Sequence, residues 1–238
     1  MKKKLFLVAV IAISLLFVVG CKKNQPRQSA LDFKQEYESI NGREIREGLV
    51  YRSLSISDDN PYIKVEPSEI VKKIENKESF YLYVGDPLCP WCRSGLEKMI
   101  EVAKDKGIKD IYYIDFWDDN HKEILRDLYE VQTQKKKNVV VKTQEATEAY
   151  TKILEAVSDF AQDYVITKDG KSYNVGEKRI MGGDHFYFEN GVCKRYVSLR
   201  SAKLENAFDE LTEEVLKDQK ETFETLFSNP VCDGKENC

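Results

Sequence analysis

The chemistry-bearing stretch of this chain is Gly85-Asp86-Pro87-Leu88-Cys89-Pro90-Trp91-Cys92-Arg93. Two residues between the cysteines bring both sulfurs within bonding reach on one helical turn, which is what a reversible dithiol needs. On the C-terminal side Leu96, Met99, Ile100 and Ala103 recur at helical spacing and predict that helix. On the N-terminal side the apolar run Phe80-Tyr81-Leu82-Tyr83-Val84 predicts a strand. A helix that starts at the cysteines sets them among unpaired N–H groups at the positive end of its dipole, which stabilises a thiolate. Pro90 fits the first helical position, where its missing N–H costs nothing. Arg93 adds positive charge that favours the thiolate, although an arginine at such a place ordinarily faces solvent. Asp86 has two readings, a proton acceptor acting through a water or a loop aspartate that caps backbone N–H groups.

The flanking sequence predicts the elements that hold this turn. Ala30–Tyr37 reads as a short helix, Asn41-Gly42 as a turn, and Leu49-Val50-Tyr51 with Leu54-Ser55-Ile56 as extended chain. Asp58-Asp59-Asn60-Pro61 breaks the chain, Tyr62–Val65 is a strand candidate, and Ser68 is an N-cap for a helix through Ile70, Val71 and Ile74. The cysteine helix stops near Lys106-Gly107, and Ile108–Phe116 predicts the next strand. Asp118 to about Gln134 predicts a helix on Ile124, Leu125, Leu128 and Val131, with Lys135-Lys136-Lys137 as a solvated loop after it. Another helix is predicted over Gln144–Gln162, then a hairpin from Tyr164 to Val175. A second hairpin spans Asp184–Leu199 with Phe186 and Phe188 on one face, and an amphipathic helix runs from Ser201 to Phe227.

The N-terminal residues carry a different signal. Met1-Lys2-Lys3-Lys4 is basic, Leu5–Val19 is an almost unbroken apolar run, and Val18-Val19-Gly20-Cys21 precedes a polar stretch from Lys22 to about Leu31 that reads as a tether. This resembles a bacterial lipoprotein signal, in which Cys21 becomes lipid-modified and heads the mature chain. An uncleaved anchor and an ordinary cleaved signal are the other readings. All three put the bulk of the chain outside the cytoplasm, where disulfides persist. With 33% charged residues of both signs and a net charge of −4, the 238-residue chain has no basic surplus for nucleic acid.

Six cysteines divide into Cys21, the Cys89–Cys92 pair, Cys193, and Cys232 with Cys238. The last two are expected to close a structural disulfide loop across a turn-prone spacer, a relay to Cys89–Cys92 being the sharper alternative. Cys193 is expected to be a half-buried core cysteine. A zinc site wants four ligands, and His121 and His185 lie far from the cysteine pair in sequence, so no metal is expected. His121 reads as an early helix residue and His185 as a strand residue.

The order strand, helix, strand, Cys-x-x-Cys helix, strand, helix, hairpin, helix, with Cys89-Pro90-Trp91-Cys92 at its turn, resembles the thioredoxin family. Within it the chain looks similar to extracytoplasmic thioredoxin-like lipoproteins of Gram-positive bacteria, bacteriocin-transport accessory proteins among them. The resemblance implies an α/β thioredoxin fold, a central mixed β-sheet flanked by helices, with an inserted helix and hairpin at about 135–175. Residues 1–20 would be a signal peptide, 21–61 a tether and N-terminal extension, 62–227 the thioredoxin-like domain and 228–238 a cysteine-containing tail. The implied activity is that of a membrane-anchored thiol–disulfide oxidoreductase in which Cys89 attacks, Cys92 resolves, and Pro90 and Trp91 tune the pair and meet substrate. No cofactor is implied. The implied partners are exported proteins with thiols or disulfides, the membrane through the lipid anchor, and a membrane redox partner.

Two departures from the family stand out. Thioredoxins carry a cis-proline opposite the cysteines, and here that place falls in Met181-Gly182-Gly183-Asp184, so Gly182, Gly183 and Asp184 stand as the opposing, substrate-binding wall. Thioredoxins also bury an acid six residues before the first cysteine, where this chain has Tyr83. A non-catalytic accessory or binding role in an exporter or envelope complex is the alternative, and the missing proline favours it.

Overall fold

The computed structural model describes residues 26–118, 120 and 122–228; Cys21, His121, Cys232 and Cys238 lie outside them. Helix α1 (Gln28–Glu38) buries Ala30, Phe33 and Tyr37 along one side. It starts two residues before the predicted Ala30, within the stretch read as tether, and Ala30 already packs into the core. A small ribbon follows, β1 (Glu44–Arg46) with β2 (Leu49–Val50), and then β3 (Tyr62–Lys64). Helix α2 (Pro67–Glu75) begins at Glu66 rather than at Ser68. The Glu66 side chain takes the N3 N–H and Glu69 reaches back to the Glu66 N–H, a reciprocal box that Ser68 cannot build from inside the helix. Next come β4 (Phe80–Gly85), α3 (Pro90–Asp105) and β5 (Ile111–Asp115).

After β5 the structure departs from the sequence reading. The helix expected over Asp118–Gln134 is absent among the described residues. Instead β6 (Leu128–Gln134) pairs with β7 (Lys137–Gln144) across a turn at Lys135-Lys136. Leu128 and Val131 satisfy a helical spacing, but Tyr129, Val131 and Thr133 also alternate, and the β-branched run Val139-Val140-Val141 supplies a partner strand. The long helix expected over Gln144–Gln162 shortens to α4 (Glu148–Ala156), capped by the Thr147 hydroxyl, which accepts from Tyr150 N at 3.2 Å. Strands β8 (Gln162–Lys168) and β9 (Lys171–Arg179) form the expected hairpin at greater length. The excursion from the sheet is therefore hairpin, helix, hairpin rather than one helix and one hairpin.

Strands β10 (Asp184–Glu189) and β11 (Val192–Ser198) form the last hairpin, and α5 (Glu213–Phe227) closes the described chain. Residues 201–212 make turns where the sequence predicted the start of that helix. There Asn206 Oδ1 accepts from Phe208 N at 3.1 Å and Asp209 Oδ2 from Asn206 N at 2.7 Å, side-chain bonds that compete with helical ones.

The main sheet has the order β11-β10-β4-β5-β3, with β3 and β4 parallel to β5, and β10 antiparallel to both β4 and β11. Among the described residues the protein is thus α/β, a five-strand mixed sheet with five helices. Alternation along β4 sends Tyr83 to the face covered by α1, α3 and α5, and Phe80, Leu82 and Val84 to the face covered by α2 and α4. Among the described residues no helix is long and apolar enough to cross a membrane.

Candidate active site

The cysteine turn sits where β4 ends and α3 begins. Cys89 is the N-cap residue, and its Sγ accepts a hydrogen bond from Cys92 N at 3.2 Å, so the sulfur occupies the place of a capping oxygen. Asp86 builds the approach: its Oδ1 accepts from Leu88 N at 2.6 Å and its carbonyl oxygen from Cys89 N at 3.2 Å. Cys89 is half-buried and Cys92 wholly buried, and both are thiols. Burial, reinforced by the neighbouring Cys89 sulfur and the Asp86 charge, pushes the Cys92 thiol well above its ordinary value. Burial and the nearby Asp115 carboxylate push Asp86 up to about 6. Asp86 therefore fills its capping role.

Arg93 does not face solvent. It is 1% exposed, and its guanidinium donates to the carbonyls of Arg52 and Tyr37, both at 2.8 Å, of Pro87 at 3.3 Å, and to Asn41 Oδ1 at 2.6 Å. Its donors are spent on tying the N-terminal extension to the cysteine loop, so its contribution is positional. A guanidinium delivers several fixed donors at once, which suits the place where three chain segments meet. Gly95, on the same helix, lets α3 close on β11: a Cβ there would lie 2.6 Å from the Leu199 carbonyl oxygen.

Beneath the sulfurs lies a floor of aromatic hydroxyls. Tyr83 is fully buried, and its hydroxyl lies 2.8 Å from that of Tyr37. Gly85 makes room for this: a Cβ there would overlap the Tyr83 ring. Tyr62, Tyr83 and Cys92 share one core cluster, and the Tyr62 hydroxyl lies 2.8 Å from His185 Nε2.

Opposite the sulfurs stands the glycine loop. An ideal Cβ on Gly182 would lie 3.2 Å from Cys89 Sγ and 3.4 Å from Cys92 Sγ, and one on Gly183 would lie 3.9 Å from Cys92 Sγ. Gly183 adopts φ +102°, a conformation strained for any L side chain. Asp184 turns inward instead of toward the sulfurs, its Oδ2 accepting from Met181 N at 2.8 Å and its Oδ1 from the Tyr196 hydroxyl at 3.0 Å. Burial pushes its carboxyl up to about 7. Among the described residues no hydrogen bond engages the Gly182 N–H or carbonyl.

Pro90 and Trp91 are half-buried at the rim, and the Arg200 guanidinium lies 4.5 Å over the Trp91 ring. On the far side of the cysteine loop opens a polar cleft of about 250 Å³ lined by Asp86, Leu88, Trp117, Glu36, Lys64 and Asp115. Lys64 pairs with Glu36 at 2.7 Å and Asp115 at 3.6 Å there. Sequence reasoning missed Tyr37, Asn41, Arg52, Tyr62 and Arg200. Tyr62 had a readable signal, a large polar aromatic at an alternating strand position, whereas the others come from loops and helix faces with no motif.

Cys193 is half-buried as expected, its thiol donating to the Arg195 carbonyl at 3.7 Å and pushed up to about 12 by burial. No protein-family model matches the chain, and no curated protein matches it either.

Proposed function

We propose that this protein is a thiol–disulfide oxidoreductase of the thioredoxin-like fold, lipid-anchored through Cys21 on the extracytoplasmic face of the membrane. The observation that carries the reading is the cysteine turn itself: the half-buried Cys89 caps the helix with its sulfur 3.2 Å from Cys92 N, and a Cβ on Gly182 would lie 3.2 and 3.4 Å from the two sulfurs. Three parallel strands followed by an antiparallel hairpin, with the dithiol at the end of a central strand, support the fold assignment. In the reductive direction the Cys89 thiolate attacks one sulfur of a substrate disulfide, forming a mixed disulfide and expelling the other sulfur as a thiolate. Asp86 takes the Cys92 proton, and the Cys92 thiolate attacks Cys89 Sγ, breaking the mixed disulfide, expelling the second substrate sulfur as a thiolate that Asp86 reprotonates, and leaving a Cys89–Cys92 disulfide. Oxidation of substrate runs the same steps backward. A membrane redox partner resets the pair.

The test is made on the lipid-anchored chain in detergent with Cys232 and Cys238 changed to Ser. Cys89→Ser is expected to abolish turnover of a peptide disulfide, and Cys92→Ser to accumulate the mixed disulfide. A reduction potential near about −270 mV identifies a reductase and one near about −120 mV a disulfide-forming oxidant. A pair that never cycles removes the enzyme reading. The accessory role, favoured by the glycines in place of a proline opposite the sulfurs, then takes its place.

A further inference from the structure

His185 occupies a position that the thiol chemistry leaves unexplained. It is fully buried on β10, stacked on Tyr83 with ring centroids 4.4 Å apart and met edge-on by Tyr62. Its Nδ1 lies 3.2 Å from the Gly183 carbonyl oxygen and its Nε2 lies 2.8 Å from the Tyr62 hydroxyl. A carbonyl can only accept, so Nδ1 carries the proton. Burial pushes the imidazole down to about 3, so the ring is neutral and Nε2 accepts from the Tyr62 O–H. A single tautomer satisfies both contacts.

The other end of this chain of bonds is the wall over the sulfurs. The Gly183 carbonyl accepts from Leu199 N at 3.0 Å as well as from His185, and the Gly183 N–H donates to Val84 O at 3.0 Å. Two adjacent glycines are the least constrained dipeptide a chain can offer, and fixing them costs more conformational entropy than fixing any other pair. A loop of that kind holds a set distance from the sulfurs only if something outside it fixes its peptides. His185, fully buried, reaches it through the Gly183 carbonyl.

Resting on the oxidoreductase reading, we propose that His185 is a positioning residue. Its Nδ1–H, oriented by Tyr62, fixes the Gly183 peptide and thereby sets how closely Gly182 approaches Cys89 and Cys92, which governs both the grip on substrate and the dithiol–disulfide balance.

Asparagine and glutamine at position 185 separate this role from simple packing. An asparagine amide can place a donor near Nδ1, whereas a glutamine amide falls nearer Nε2, and both forfeit the ring. In the lipid-anchored chain, His185→Asn is expected to stay within about threefold of the parent in the dithiol–disulfide equilibrium and in KM for a peptide disulfide. His185→Gln is expected to move that equilibrium by about tenfold, about 30 mV for a two-electron couple, and to raise KM by a similar factor with kcat nearly unchanged. Equal potentials and equal KM in the two variants would overturn the proposal. The potential and the alkylation rate of Cys89 are read without any substrate. A parent chain that fails to turn over would therefore count against the oxidoreductase reading while the Asn–Gln contrast still decides the role of His185. Should both variants fail to fold, Tyr62→Phe keeps the imidazole and frees its tautomer. A shift of about threefold in the equilibrium is then expected, and no shift overturns the proposal.

Discussion

Asp184 and His185 are neighbours on β10 that burial drives to neutrality from opposite sides. The carboxyl is pushed up to about 7 from 3.8, so between those values the folded chain holds a proton that the unfolded chain has released. The stability this contributes is complete at the acid end and is lost as pH rises through about 7. For His185 the sign reverses: its imidazole is pushed down from 6.5 to about 3, so its contribution is present above 6.5 and is lost as pH falls toward 3. Asp184→Asn removes the first titration and leaves the second. Urea midpoints taken at about pH 5 and about pH 8 should show the variant gaining on the parent as pH rises. A difference that stays constant across that window would mean that Asp184 is not a buried neutral acid.

At the scale of elements, the β6–β7 hairpin shows how a partner strand overrides local periodicity. Its two-residue turn places Lys135 at φ 49° and Lys136 at φ 66°, both left-handed, as the mirror-image turn favoured by hairpins requires. Lysine carries a steric penalty there that asparagine and glycine largely avoid. The double change Lys135→Asn and Lys136→Gly should stabilise the protein by about 0.5–1 kcal/mol, read as a raised melting temperature. The Cys89–Cys92 potential should not move, since the turn is exposed and none of the bonds that hold the cysteine loop or the glycine wall reaches it. A lowered melting temperature would show that the lysines are held by something other than the turn. The cysteine helix behaves differently from this hairpin, because its start is fixed by residues inside it: Cys89 caps it and Pro90 occupies its first position.

At the scale of the molecule, the N-terminal segment is part of the core. Phe33 stacks on Tyr62 with centroids 4.3 Å apart, Tyr37 bonds to Tyr83, and Asn60 Nδ2 donates to the Ala30 carbonyl at 2.8 Å. Arg93 ties the same segment to the cysteine loop through Tyr37, Asn41 and Arg52. Losing one buried aromatic costs about 3–5 kcal/mol, and a whole domain has about 5–15 kcal/mol to lose. Deleting residues 26–61 should therefore abolish cooperative unfolding in a circular-dichroism melt, together with any thiol turnover. A truncated chain that still melts sharply would make the extension an accessory to an independent domain.

What the sequence by itself determined is the set of features that short-range sterics decide. These include the strand, loop and capped helix around Cys89-Pro90-Trp91-Cys92 and the hairpin at Asp184–Ser198. Each is written in adjacent residues through capping, proline placement, alternation or freedom at positive φ. The tertiary structure alone decided the rest. Residues 128–144 became a hairpin because their apolar spacing fits two periods and only pairing chooses between them. Arg93 turned inward because the distant Tyr37 and Arg52 carbonyls converge on it with that of nearby Pro87, and His185 met Tyr62 across 123 residues of chain. Such contacts depend on which faces the sheet brings together, and no local pattern encodes that.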